Sequence, residues 1–130
     1  MRESAVPKIL IVDDDPDVLE AARLVLEREG YEIATAATRD EGMTMVEEFA
    51  PDLLVLDVMM EEPDDGFVMA QDLRREGHDF PIMMLTSVGT ATGFDFGPDK
   101  EMVPVDEFQS KPVDPTTFVA KVGKLLSVRQ

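Results

Sequence analysis

The chain has 130 residues, 44% of them hydrophobic and 31% charged, which is enough for one domain with a real core and too few for two. It holds no cysteine, which excludes disulfides and thiolate metal sites, and no apolar run approaches the ~20 residues of a membrane span. Together with the lack of a signal-peptide pattern at the start, these absences predict a cytoplasmic protein with no membrane contact, and the net charge of −16 from 28 acidic and 12 basic residues, a field that repels phosphate backbones, predicts no direct nucleic-acid binding.

Apolar runs and helical periodicities alternate along the chain. Ile9-Leu10-Ile11-Val12 predicts a strand over 8–13 that runs into Asp13-Asp14-Asp15. Pro16 suits a first helical turn, Val18, Ala22, Val25 and Leu26 share one face, and Gly30 suits the position past the helix end. A short strand at 32–36 precedes a helix at 39–49 with Met43, Val46 and Phe49 at core spacing. Pro51 breaks that helix, and Leu53-Leu54-Val55-Leu56 is apolar on both faces, as a central parallel strand should be, before ending on Asp57. Glu61, Glu62, Asp64 and Asp65 surround Pro63 as turn residues, expected to be solvated.

A helix at 66–76 is closed by Gly77. His78 lies in what reads as an exposed turn with no partner nearby in sequence, so a phosphocarrier or metal role is disfavoured. Ile82-Met83-Met84-Leu85 then runs into Thr86-Ser87. Residues 88–104 contain Gly89, Gly93, Gly97, Pro98 and Pro104. Glycine costs about 1 kcal/mol and proline about 3 inside a helix, so no full-length helix is expected there. A weaker strand at 106–110 runs into Lys111-Pro112, and Pro115 opens a last helix burying Phe118, Val119, Val122, Leu125 and Leu126.

Strands alternating with helices predict an α/β fold, a flavodoxin-like doubly wound five-stranded parallel sheet of order 2-1-3-4-5, with the fourth helix degenerate or replaced by a loop. The whole chain, 1–130, reads as a single domain with a core at about 7–128. In that order the topological switch point falls between the first and third strands, and ligands bind beyond their carboxyl ends. Those ends carry Asp13 to Asp15 and Asp57. Carboxylates gathered this closely repel one another unless a cation or proton joins them. With only oxygen ligands on offer, a hard cation such as Mg²⁺, or Mn²⁺, is favoured over zinc or copper. Asp14 and Asp57 could supply carboxylates, Lys111 could neutralise a transferred phosphoryl group, and the Thr86 hydroxyl could donate to it. A carboxylate can itself be the nucleophile and form an aspartyl phosphate, for which Asp57 is the obvious candidate.

The segments Ile9 to Pro16, Leu53 to Met60, Met83 to Ser87 and Ser110 to Pro112 together resemble the receiver domain of bacterial two-component response regulators. The resemblance covers nearly the whole chain, with four motifs in order. It implies that Asp13 and Asp14 form an acidic pair, Asp14 being the more direct metal ligand, and that the backbone carbonyl of Met59 completes the metal shell. It implies that Asp57 accepts phosphoryl from a sensor histidine kinase or phosphotransfer protein, that Thr86 and Lys111 hold its oxygens, and that Thr86 and Phe108 form the switch toward an unknown downstream partner. Such a domain is a monomer or a phosphorylation-dependent dimer, and it is not a turnover enzyme on a separate substrate. Met59 and Val88 fall where the family flanks the path of hydrolytic water; both are apolar here and are expected to slow loss of the phosphoryl group.

Three alternatives are weaker. An aspartyl-nucleophile phosphohydrolase wants a second acid two residues after the nucleophile, where Asp57 has Met59. A pseudo-receiver used only for docking would not need the intact set Asp14, Asp57, Thr86 and Lys111. A calcium loop starting at Asp13 lacks the glycine required at its sixth position, where Val18 stands. Asp15 reads better as a helix-initiating acid than as a third metal ligand. With no output domain in sight, the chain is expected to be either a stand-alone receiver or a piece of a longer protein.

Overall fold

A computed structural model describes residues 6–58, 60, 65–86, 105–111 and 114–129. The elements run β1 (Lys8–Val12), α1 (Pro16–Arg28), β2 (Glu32–Ala36), α2 (Arg39–Phe49), β3 (Leu53–Asp57), α3 (Asp65–Arg75), β4 (Ile82–Thr86), β5 (Glu107–Ser110) and α4 (Pro115–Arg129). All neighbouring strands are parallel, in the order β2-β1-β3-β4-β5. The flavodoxin-like doubly wound sheet expected from sequence is the observed one. The expectation for residues 88–104, a degenerate helix, lies outside the described residues, as do the positions of Met59 and Val88.

The period-2 alternation of a strand sorts the apolar runs into two cores. Leu10, Val12, Leu54, Leu56, Ile82 and Met84 face one side, where Val46 of α2 and Met69, Ala70 and Leu73 of α3 cover them. Ile9, Ile11, Leu53, Val55, Met83 and Leu85 face the other, beneath Ala22 and Leu26 of α1 and Phe118, Val122, Leu125 and Leu126 of α4. A strand sandwiched this way has no polar side, which is why the runs of β1, β3 and β4 are continuous rather than alternating.

Helix starts follow local chemistry. The Asp15 side chain accepts from Asp17 N–H at 2.9 Å and caps α1, with Pro16 opening it. Thr38 Oγ1 caps α2 by accepting from Glu41 N–H at 3.0 Å, while Glu41 reaches back to accept from Ala37 N–H at 2.7 Å. Both arrangements satisfy helix-terminal donors that have no partner within the helix.

The start of the weakest strand, β5, is pinned by Asp106. Its Oδ2 accepts from Ile82 N–H at 2.9 Å and from Arg74 Nη2 at 3.0 Å, and its own N–H donates to Ile82 O at 2.8 Å. Ile82 is fully buried, so removing the acceptor strands a backbone donor away from water. Asp106→Ala is expected to cost about 1–3 kcal/mol in chemical denaturation, and Asp106→Asn, which keeps an acceptor oxygen, well under half of that. An equal loss in both variants would point to the Arg74 ion pair instead.

Candidate functional site

The register of β1 on β3 pairs Val12 with Leu56, so Asp13 and Asp57 emerge side by side at the carboxyl edge. The next strand, β4, ends there on buried Thr86. Lys111 follows directly after β5, and its N–H donates to Thr86 O at 2.7 Å, fixing its backbone at the same edge. The Lys111 ammonium reaches to 2.9 Å from Asp13 Oδ2 and 3.1 Å from Asp57 Oδ1, bridging the two carboxylates. Asp13 and Asp57 are buried and Asp14 is exposed, so one carboxylate of the set opens to solvent. An oxygen from each of the three lies within 4.8 Å of the other two.

This crowding has an electrostatic signature. Burial, and then the charge of Asp13, push the Asp57 carboxyl up to about 6; the hydrogen bond and charge of Lys111 pull against that, and Asp14 adds to the rise. Burial alone would lower the affinity of Lys111 for its proton, but its bonds to Asp13 and Asp57 and their charges outweigh it and raise the value. Oδ1 of Asp13 accepts from Asp15 N–H at 2.8 Å, and the Lys111 ammonium stands 2.9 Å from Oδ2. Three carboxylates with oxygens this close to one another, set against the one ammonium of Lys111, are the donor chemistry a hard divalent cation completes. The residues present fit such an ion.

Asp13, Asp14, Asp57 and Lys111 are thus brought together, and Thr86 stands beside them on the neighbouring strand. Phe108 is elsewhere, partly buried against the core shared with α2 and α3, and its carbonyl accepts from Lys121 Nζ at 2.7 Å. Asp15 is the helix cap already described. The expectation that Asp65 is a solvated turn residue is corrected: it is buried as the first residue of α3, with its carboxylate 3.4 Å from Arg39 Nη1. An acid at that depth is stabilised by a counter-ion, and one comes from α2, which no local pattern announces. His78 is partly buried rather than exposed, its Nε2 lying 3.3 Å from Glu47 Oε2 on α2. Glu61, Glu62 and Asp64 lie outside the described residues.

Comparison with known proteins decides the family. Residues 9–123 match the family model described as response regulator receiver domain. The chain belongs to that family. Among its relatives, the DNA-binding dual master transcriptional regulator RpaA of a Synechocystis strain is 35% identical over 127 residues, covering 93% of this chain and 49% of RpaA. The alkaline phosphatase synthesis transcriptional regulatory protein PhoP of Bacillus subtilis is 34% identical, with 92% and 48% covered. A solved structure of a putative response regulator from Chloroflexus aurantiacus superposes with a TM-score of 0.80 at 32% identity, covering 94% of this chain and 98% of that one. This receiver domain therefore spans about half the length of the curated relatives it matches.

Those relatives correct the expectation about partners. The net charge argues against nucleic acid, yet RpaA is a DNA-binding regulator. A charge sum over a segment that matches about half of such a regulator does not speak for the regulator as a whole, which is why the expectation fails. Among the described residues, no helix is long and apolar enough to cross a membrane.

Proposed function

We propose that this receiver domain accepts a phosphoryl group on Asp57 from a histidine kinase or phosphotransfer protein and passes the event on as a change of conformation. The supporting observation is the bridge made by Lys111 between two buried carboxylates at the switch point of the sheet, with Asp14 open to solvent beside them. Asp13 and Asp14, with Asp57 and the carbonyl of Met59, would hold Mg²⁺ or Mn²⁺, which supplies charge neutralisation for an incoming anion when bound.

The chain's own residues divide the work. An oxygen of Asp57 attacks phosphorus, the P–O bond forms as the P–N bond to the donor imidazole breaks, and the imidazole leaves with its electron pair and takes a proton from solvent. Lys111, already 3.1 Å from Asp57, neutralises charge on the transferred group. Thr86 donates its hydroxyl to a phosphoryl oxygen, and Phe108 follows that movement as the switch. Met59 and Val88 exclude water from the acyl phosphate. Because the sequence covers about half of regulators such as RpaA and PhoP, a role in controlling transcription is the corresponding proposal for the whole protein.

The test is incubation with Mg²⁺ and phosphoramidate followed by intact mass. One added phosphoryl group is expected in the wild type and none in Asp57→Asn. Absence of an adduct from the wild type under these conditions would favour the pseudo-receiver.

A further inference from the structure

The ion pair between Arg39 and Asp65 joins the first residue of α2 to the first residue of α3. The Asp65 side chain is 6% exposed and that of Arg39 39%, so a desolvated carboxylate is held by a guanidinium that stays near water. Attraction between opposite charges is strong where one of them is removed from water, so the position of Arg39 favours one placement of Asp65 over others.

That constraint reaches the acceptor in one residue. Gly66 follows Asp65 and donates its N–H to Val58 O at 2.8 Å. Its Cα is pressed so closely on the end of β3 that a methyl group added there would overlap the Asp57 carbonyl oxygen. The other end of the linkage is equally well seated. The N-terminus of α2 is capped by Thr38, and a methyl group on Gly42 would come within 3.0 Å of Val12, the residue before Asp13. Arg39 to Asp65 to Gly66 to Asp57 is therefore a short run of contacts with little slack.

We propose that Arg39 is a positioning residue for phosphoryl acceptance: through Asp65 it holds the start of α3 against the backbone of Asp57 and so fixes the aim of the acceptor carboxylate. This rests on the reading of Asp57 as acceptor. Misplacing a reacting group by a fraction of an ångström is enough to slow a transfer severalfold.

The experiment measures the rate of adduct formation on the full chain at fixed phosphoramidate across a Mg²⁺ series, by quenched intact mass. Arg39→Ala is expected to lower the rate at saturating Mg²⁺ by roughly threefold to tenfold. The Mg²⁺ concentration giving half the maximal rate should not move, because Arg39 acts on the aim of the acceptor and not on the acidic pair. Arg39→Lys should recover most of the loss, and Asp65→Asn should reproduce part of it. Arg75→Ala serves as control, since it removes an arginine–aspartate pair on the exposed face of α3, with Asp72, and leaves the pair of Arg39 with Asp65 intact; its rate should match the wild type. An unchanged rate in Arg39→Ala overturns the proposal, as does a deficit that excess Mg²⁺ abolishes, or one that Arg75→Ala shares in full. A wild-type chain that takes no phosphoryl group overturns the acceptor reading and this one together, whereas a labelled wild type with an unaffected Arg39→Ala sinks only this one.

Discussion

Gly66→Ala is expected to destabilise the fold by about 3 kcal/mol, although alanine is intrinsically the better helix former by about 1 kcal/mol. The reason is the close approach of two backbones. A Cβ at position 66 would overlap the carbonyl oxygen of Asp57 and stand 2.8 Å from the Val58 Cα and 2.9 Å from the Asp57 carbonyl carbon. None of these atoms belongs to a flexible side chain that could swing aside. Asp57 is the last residue of β3, paired to β4 through Leu85, and Val58 N–H donates to Leu85 O at 3.1 Å, so β3 cannot retreat without breaking its ladder. Relief must come from α3 moving outward, which exposes Met69, Ala70 and Leu73, all fully buried. In a thermal melt the loss corresponds to roughly 10 °C for a domain of this size. Gly123 provides the contrast within the same molecule. It lies in α4, where an added Cβ meets nothing within 4 Å, so Gly123→Ala is expected to stabilise by up to about 1 kcal/mol. Equal and small effects at both positions would show that the α3 start yields easily, and would remove the steric basis for any coupling between that helix and Asp57.

The contrast between these glycines marks what a sequence read alone can and cannot yield. β1, β3 and β4 were legible because a strand covered on both faces needs an unbroken apolar run, and the residues that end those runs, Asp13, Asp57 and Thr86, are polar by contrast. The order of strands then placed the carboxylates together without any knowledge of distances. β5, reading Glu-Phe-Gln-Ser, has no such run; only Lys111 beyond it gave it meaning, and the contacts that secure it come from Asp106 and Arg74. The burial of Asp65 is hidden from the sequence for a related reason. Whether an acid in a turn is solvated or buried is decided by what packs over it, and here that includes Arg39, far away in sequence and in a different helix. His78 shows the same thing on the surface, where Glu47 of α2 closes on it from a position no local spacing relates to it. Residues that meet along one edge of a sheet are thus readable from topology, while pairs that bridge separate helices are not.

Without divalent cations, Asp57→Asn is expected to be more stable than the wild type at neutral pH, by on the order of 2–3 kcal/mol. The acceptor carboxyl is buried beside Asp13, which raises its value from the ordinary 3.8 to about 6 despite the opposing pull of Lys111. A carboxyl whose affinity for its proton is higher in the folded chain than in the unfolded one stabilises the fold while it is protonated. That contribution is complete below pH 3.8 and is lost as pH rises through about 6, so the wild type should weaken across this window relative to a neutral side chain of the same shape. The amide introduced by Asp57→Asn would keep an oxygen for Lys111 while removing the negative charge, and the pairing of Lys111 with Asp13 at 2.9 Å is untouched. The two proteins should therefore have nearly equal stability at the acid end of a pH series and diverge toward neutrality, by urea denaturation in the presence of a chelator. Mg²⁺ should close the gap by stabilising the wild type at neutral pH and the variant much less, because a cation bound only to the folded state adds its binding free energy to the fold. A difference that is the same at every pH would assign the effect to packing of the amide and not to charge. A wild type indifferent to Mg²⁺ at neutral pH would deny that the three carboxylates form a cation site at all.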